Sequence, residues 1–196
     1  MLLNRHTPMV SYRPSILLLA LVGVALLPSR AGAQETTGPR AVGVTVQAYP
    51  AGLIVAARAS FPIRTRSTLT AHAAYNATDR RDFGEHDNEE GGGPGFGLAF
   101  RRYLDARYEG LHFGVRTDLW LLEIDWEDDA PPRTGTTDIV VLQPTAQAGY
   151  ARTVANGRLV LEGTISLGVE INIDILGEAV GEGAILLGGL ALAYRL

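Results

Sequence analysis

Cysteine is absent from the 196-residue chain. That excludes structural disulfides, thiolate metal sites and a lipoprotein anchor, which needs a cysteine at the new N-terminus. Lysine is absent too, and all 17 basic residues are arginine, which we read as a compositional bias rather than a functional signal. Helical periodicity is nearly missing after residue 40. No basic aromatic patch, phosphate-cradling loop or thiol is present, so nothing points to nucleic acid, nucleotide or a redox cofactor, and no cofactor is expected. An exported chain without disulfides must be held by other means, and a closed ring of strand hydrogen bonds is one.

What is present begins with an export pattern. Arg5 and Arg13 give a positive start, Ile16 to Leu27 form an uninterrupted apolar run, and Pro28 ends it. The run is shorter than the roughly 20 apolar residues that a membrane-spanning helix requires. Small residues follow at Ala31-Gly32-Ala33, so a signal peptide over 1–33 with cleavage after Ala33 is expected. Its removal takes away three arginines and no carboxylate. The remaining domain, 34–196, has 163 residues and moves from a net charge of −4 to about −7.

Alternation by two dominates the rest. From Leu159 to Asp174, Leu159, Leu161, Ile165, Leu167, Val169, Ile171 and Ile173 share one face, while Glu162, Thr164, Ser166, Glu170, Asn172 and Asp174 share the other. The same pattern predicts seven more strands near 41–49, 52–61, 67–77, 95–104, 111–123, 139–151 and 184–196. Their apolar faces include Val42, Val44 and Val46 at one end of the chain and Leu186, Leu190 and Leu192 at the other. Each is about the 9–11 residues with which a tilted strand crosses a bilayer. Eight is an even number, as antiparallel closure requires.

The connections predict two populations. Links near 62–66, 105–110 and 152–157 are short, with Pro62, Asp105, Gly110, Asn156 and Gly157. Links near 78–94, 124–138 and 175–183 are mostly longer and rich in Gly, Asp, Glu and Pro, although Tyr49-Pro50-Ala51-Gly52 is short. Acids gather in the longer links and arginines at the other rim, including Arg64, Arg66, Arg102, Arg107, Arg152, Arg158 and Arg195. A soluble lipocalin-like barrel that binds an apolar ligand shows the same alternation with the apolar face inward, and stays open as an alternative.

The C-terminal strand carries a family resemblance. Leu190, Leu192, Tyr194 and Leu196 alternate up to the last residue, and the segment from Arg102 through Asp105 and Gly110 to Gly114 resembles a strand–turn–strand. Together they resemble the small eight-stranded outer-membrane β-barrels of the OmpX/OmpA-barrel type and their uncharacterised bacterial relatives. The sequence departs from that pattern in ending on Leu196 rather than Phe and in having Ala191 where Gly is frequent. The resemblance implies an all-β, eight-stranded antiparallel up-and-down transmembrane barrel in the bacterial outer membrane. It also implies contact with outer-membrane lipid and lipopolysaccharide, and recognition of the last strand by the barrel-assembly machinery. A monomer is expected.

Strand parity then places Arg58, His72, Arg101, His112, Arg116, Asp118, Glu162 and Glu170 inside. An eight-stranded interior is just wide enough to be filled by side chains, and buried charges must be paired. A closing network of Arg58, Arg101 and Arg116 with Asp118, Glu162 and Glu170 is therefore expected, with a narrow pore for small solutes or ions as the alternative. Catalysis is not expected. His72 is followed by Ala73-Ala74 and His112 by Phe113-Gly114, so neither forms a His-x-Ser pair, and His86-Asp87 lies in an acidic link. Asp125, Glu127, Asp128 and Asp129 are weak candidates for a divalent cation without the spacing of a calcium loop, and Gly91-Gly92-Gly93 suggests a mobile link. Trp120, Trp126 and Tyr49 near the outer rim fit interfacial anchors or, equally, loop packing.

Overall fold

The computed structural model describes residues 38–81 and 84–196, so the expected signal segment and its cleavage point lie outside the described residues. The strands are β1 Ala41–Tyr49, β2 Gly52–Arg64, β3 Ser67–Asp79, β4 Asn88–Tyr103, β5 Gly110–Asp129, β6 Pro132–Val154, β7 Leu159–Leu176 and β8 Gly183–Arg195. Each pairs antiparallel with its neighbours in chain order. The ring closes when β8 pairs with β1 from Ala41↔Arg195 to Ala48↔Gly188. Closure leaves no edge strand with unpaired backbone groups.

The pleat sorts the side chains. Phe96, Val115 and Ile165 point outward and are 54%, 60% and 65% exposed, while their inward neighbours Gly97, Arg116 and Ser166 are buried. All eight strands share this sense, so the outer wall is an apolar belt and the polar set is inside. Two register slips interrupt the pairing, one between Pro62 and Arg64 at the end of β2 and one between β6 and β7. A bulge at Val140/Val141 brings Asp174 opposite Val140 on the outer face, which moves Asp174 off the polar face that strict alternation assigns it.

The connections differ from the sequence expectation in length. At the end bearing residues 65–66, 104–109 and 155–158, here the turn end, the links are two, six and four residues long. At the opposite, loop end they span 50–51, 80–87, 130–131 and 177–182. The expected loop at 124–138 is instead a continuous hairpin of β5 and β6, paired as far as Asp129↔Pro132. The reason is that alternation persists through the acids: Ile124 and Trp126 face inward, and Glu123, Asp125 and Glu127 face outward. A charged residue on a water-facing strand mimics a loop in composition. With 20 and 23 residues, β5 and β6 are about twice the 9–11 residues with which a tilted strand crosses a bilayer.

The glycine run at 91–93 is strand as well, paired with β3 throughout and with β5 at Gly91 and Gly92. A Cβ at Gly93 would lie 1.9 Å from the Leu121 carbonyl oxygen, so glycine here serves close backbone approach rather than mobility. Gly95 serves the interior, since a Cβ there would lie 2.2 Å from the Trp120 ring.

Candidate functional site

The interior is stacked in layers. Nearest the turn end, Tyr103, Tyr108, Ala151, Val160 and Ala193 form a small apolar floor. The Tyr108 hydroxyl donates to the Arg64 carbonyl at 3.1 Å, and the Tyr103 and Tyr108 rings meet edge-on at 5.7 Å.

Above this floor lie the charges. Arg58 on β2 donates twice to Glu162 on β7, at 2.9 and 3.1 Å, and Arg101 on β4 approaches the same carboxylate at 3.5 Å. Arg101 also donates from Nε to Gln147 at 2.9 Å. Arg116 pairs with Asp118 two residues along the same inward face of β5 and donates to Gln47 on β1. His72 and His112 lie in this layer with buried ring nitrogens that make no hydrogen bond, although His112 Nε2 lies 4.0 Å from Glu162. Glu170 is buried but lies apart from these groups. Its partners are Arg80, at 3.1 Å, and Gln143, at 3.1 Å.

The next layer was not foreseen from the sequence. Ile54, Trp120, Leu122, Ile124, Ile139, Val141, Ile185, Leu187 and their neighbours pack into an apolar plug towards the loop end. Trp120 is fully buried there and donates to Gln143 at 3.1 Å, and Trp126 donates to Thr137 at 3.2 Å. Tyr49 is buried against Asn76 and Thr78. None of the three is an interfacial anchor. Trp120 and Trp126 share the parity of Arg116 and Asp118, so the inward position was encoded. An interior expected to be polar hid it.

A cap closes the loop end. Arg80 and Glu89 look like members of an exposed acidic loop but are 3% and 0% exposed. Arg80 bridges Glu89 and Glu170 and donates to the Gly181 carbonyl. The Glu89 carboxylate accepts from the backbone N–H groups of Glu85, His86 and Gly181 at 2.8, 3.3 and 3.1 Å. Residues 177–182 thereby become a strap across the mouth, with Val180 pressed into the apolar plug. Thr137 donates to the Glu178 carbonyl, Asn172 to that of Val180, and His86 Nε2 meets that of Ala179. The parity of β4, carried back from Arg101, assigns Glu89 to the interior. Nothing in the sequence assigns Arg80, which lies beyond the end of β3. Counted together, four arginines face four carboxylates inside the barrel.

His86 locks the cap from above. Its ring stacks on Trp126 at 4.1 Å and 12°, with Nδ1 at 2.9 Å from Asp128. Asp128 also takes a hydrogen bond from Arg133 at 2.6 Å. Both His86 nitrogens are therefore engaged, and its partner is Asp128 rather than the adjacent Asp87. Asp87 instead accepts from the Asp129 N–H at 2.8 Å. Desolvation pushes the Asp128 carboxyl up, but the hydrogen bonds from His86 and Arg133 outweigh it, and its pKa falls below the ordinary carboxylate value. A depressed folded-state pKa means that the contact contributes fully above the unfolded value, about 4, and is lost as pH falls through the folded one. As pH falls below the ordinary carboxylate range, Trp126 fluorescence is expected to change when Asp128 takes up its proton. In Asp128→Asn that step should disappear. A step of the same size in the variant would show that another group controls the cap.

The weak cation candidates are separated by the same pleat. Asp125 and Glu127 face outward, Asp128 turns to His86 and Arg133, and Asp129 sits at the hairpin tip. Among the described residues no group of three or more histidine or acidic side chains is placed to hold a metal ion. Outward-facing acids do adjoin one another, with Glu90 opposite Asp125 and Glu123 opposite Asp138. Like charges directly opposite cost stability, so this sheet face is acidic in spite of its local energetics.

No protein-family model matches the chain, and no curated protein matches it in sequence. Solved structures similar to it include the N-terminal β-barrel domain of Pseudomonas aeruginosa OprF, at 14% identity and a TM-score of 0.46, with 81% of this chain and 98% of that one covered. Neisserial surface protein A (NspA) is similar at 10% identity and a TM-score of 0.40, with 80% of this chain and 93% of that one covered. The eight-stranded closed antiparallel barrel is established by this chain's own strand pairing.

At the turn end the chemistry reverses. Asp105 takes hydrogen bonds from the Arg107 side chain and N–H, which hold its carboxyl down at about 2. Glu109 lies 3.8 Å from Arg195. Arg64, Arg66, Arg102, Arg152 and Arg158 of this rim are exposed.

Proposed function

We propose that this protein is a small outer-membrane barrel with a closed lumen, serving as a structural or interaction element of the cell envelope rather than as an enzyme or a channel. The observation that carries this reading is the inversion of polarity: the exposed wall is apolar on all eight strands and the ion pairs are inside. A soluble barrel has the opposite arrangement, since water would penalise the belt and reward exposed charges. The turn end is assigned to the periplasm and the acidic loop end to the exterior. The ring closes on itself without an open edge, which suits a monomer, and the outward Leu190, Leu192 and Tyr194 of β8 suit recognition by an assembly machinery. Lipid and lipopolysaccharide are the surroundings that the belt and the acidic rim meet. Both ring nitrogens of His86 are engaged and His72 and His112 are enclosed, which supports reading these three histidines as structural.

The closed lumen is the finer part of this reading. It is favoured over a narrow pore because the charges are ion-paired, with Arg58 and Arg101 on Glu162 and Arg116 on Asp118, and their layer is sandwiched between two apolar layers. The chain from Gln34 onward, refolded in lipid, is expected to run faster unboiled than boiled in gel electrophoresis. In planar bilayers it is expected to give no steps of stable size. A gel shift accompanied by reproducible conductance steps would retain the membrane barrel and overturn the closed lumen. Solubility without detergent and no gel shift would overturn the membrane barrel itself.

A further inference from the structure

The turn-end rim holds more arginine than its carboxylates can neutralise. Asp105 and Glu109 are taken by Arg107 and Arg195. Arg64, Arg66, Arg102, Arg152 and Arg158 are exposed and make no ion pair among the described residues. They are distributed around the ring, at the end of β2, in the β2–β3 turn, on β4, on β6 and in the β6–β7 turn.

Their placement relative to the apolar belt is the informative feature. Arg102 is outward-facing on β4 between exposed Phe100 and Leu104, with Phe113 as its cross-strand neighbour, and its one hydrogen bond is to Ser67 at 3.2 Å. Arg152 follows exposed Tyr150 on the outer face of β6 and lies opposite exposed Leu161. Arg64 follows exposed Ile63. Each of these three side chains is therefore rooted at the turn-end margin of the apolar wall and is long enough to lay its stem along that wall while the guanidinium reaches to its edge. In a bilayer this is the level of the lipid phosphates. A guanidinium presents a planar fork of donors that matches phosphate oxygens. The opposite rim lacks this feature, since its outward face carries Glu90, Glu123, Asp125, Glu127 and Asp138.

We propose that these five arginines form a collar that binds the headgroup phosphates of anionic glycerophospholipids in the leaflet at the turn end, fixing the barrel's depth and favouring one orientation. The inference rests on the membrane-barrel reading. Continuity with the belt selects lipid over a soluble polyanion, because Arg64, Arg102 and Arg152 adjoin exposed apolar side chains that only acyl chains would cover.

The test uses the refolded barrel in phosphatidylcholine bilayers doped with spin-labelled lipid, reading the association of phosphatidylglycerol relative to phosphatidylcholine by electron spin resonance. Selectivity is expected to be about two- to fivefold at low ionic strength, since each arginine near an anionic surface contributes appreciably. It should fall to about one in roughly 0.5 M salt, where charges are screened within a few ångströms. R102Q/R152Q/R158Q should remove most of it, and E123Q/E127Q at the other rim should not. Inorganic phosphate at matched ionic strength should leave it unchanged; displacement by phosphate would replace the lipid by a free anion and overturn the proposal. A normal gel shift without lipid selectivity in the unmodified protein would overturn the collar and keep the barrel. No gel shift in any lipid would overturn both.

Discussion

Replacing Glu162 with alanine is expected to cost about 3–5 kcal/mol of barrel stability, the range for removing one member of a buried ion pair. Glu162 serves two arginines at once, receiving Arg58 bidentately and lying 3.5 Å from Arg101. Its loss strands both guanidinium groups between apolar layers with no route to water. Glu162→Gln keeps hydrogen-bond acceptance but not the charge, so a smaller loss is expected. The combined replacement of Glu162 by Leu with Arg58 and Arg101 by Met should recover most of the stability, because a buried pair exchanged for apolar volume is often neutral. Urea titration in lipid vesicles, followed by the fraction of fast-migrating unboiled protein, measures all three. Equal stability of Glu162→Ala and the parent would mean that the charge layer is open to water, and the closed lumen would have to be abandoned.

The second large effect is on the opposite face of β5. Val115→Arg places a guanidinium near the middle of the outward apolar stretch running from Leu111 to Leu121, at a position 60% exposed and flanked across the strands by Phe100 and Ala146. In a bilayer a cation at the midplane of a barrel wall costs about 2–4 kcal/mol, falling to about 0–1 near the interface. Leu111→Arg, close to the turn end, should accordingly cost much less. In a water-soluble barrel both substitutions would be close to neutral and would improve solubility. The difference between the two variants, measured in the same vesicles, therefore separates the membrane reading from the soluble one without any knowledge of a ligand.

Both effects depend on the alternation that was already visible in the chain. Arg116 and Val115 lie on opposite faces because consecutive side chains on a strand alternate, a local geometric rule that needs no tertiary information. Parity extended further than composition suggested. It carried β5 through Asp125 and Glu127 to Asp129, and it placed Glu89, Trp120 and Trp126 inside. The sequence reading stopped short at those residues for two reasons. Clustered acids and glycines resemble loops, and tryptophans near a rim resemble membrane anchors. In each instance the local period was correct and the compositional habit was misleading.

Pairing across the barrel was not legible. Arg80 meets Glu170, 90 residues away, and Glu89 meets the Gly181 backbone, 92 residues away. These contacts exist only because closure of β8 on β1 brings the 80–87 and 177–182 connections to the same mouth. The split of the interior into a charged layer under an apolar plug has the same origin, since strand tilt and stagger decide which inward residues share a level. By itself the sequence determined the strands, which residues share a face, and the segregation of acid from arginine between the two ends, all properties of period and composition, while closure of the ring decided that the apolar face is the outer one. Only the tertiary structure decided which charges meet, that His86 and Val180 close the mouth, and that the long β5–β6 hairpin stands beyond it, because those depend on distances between residues that the chain keeps far apart.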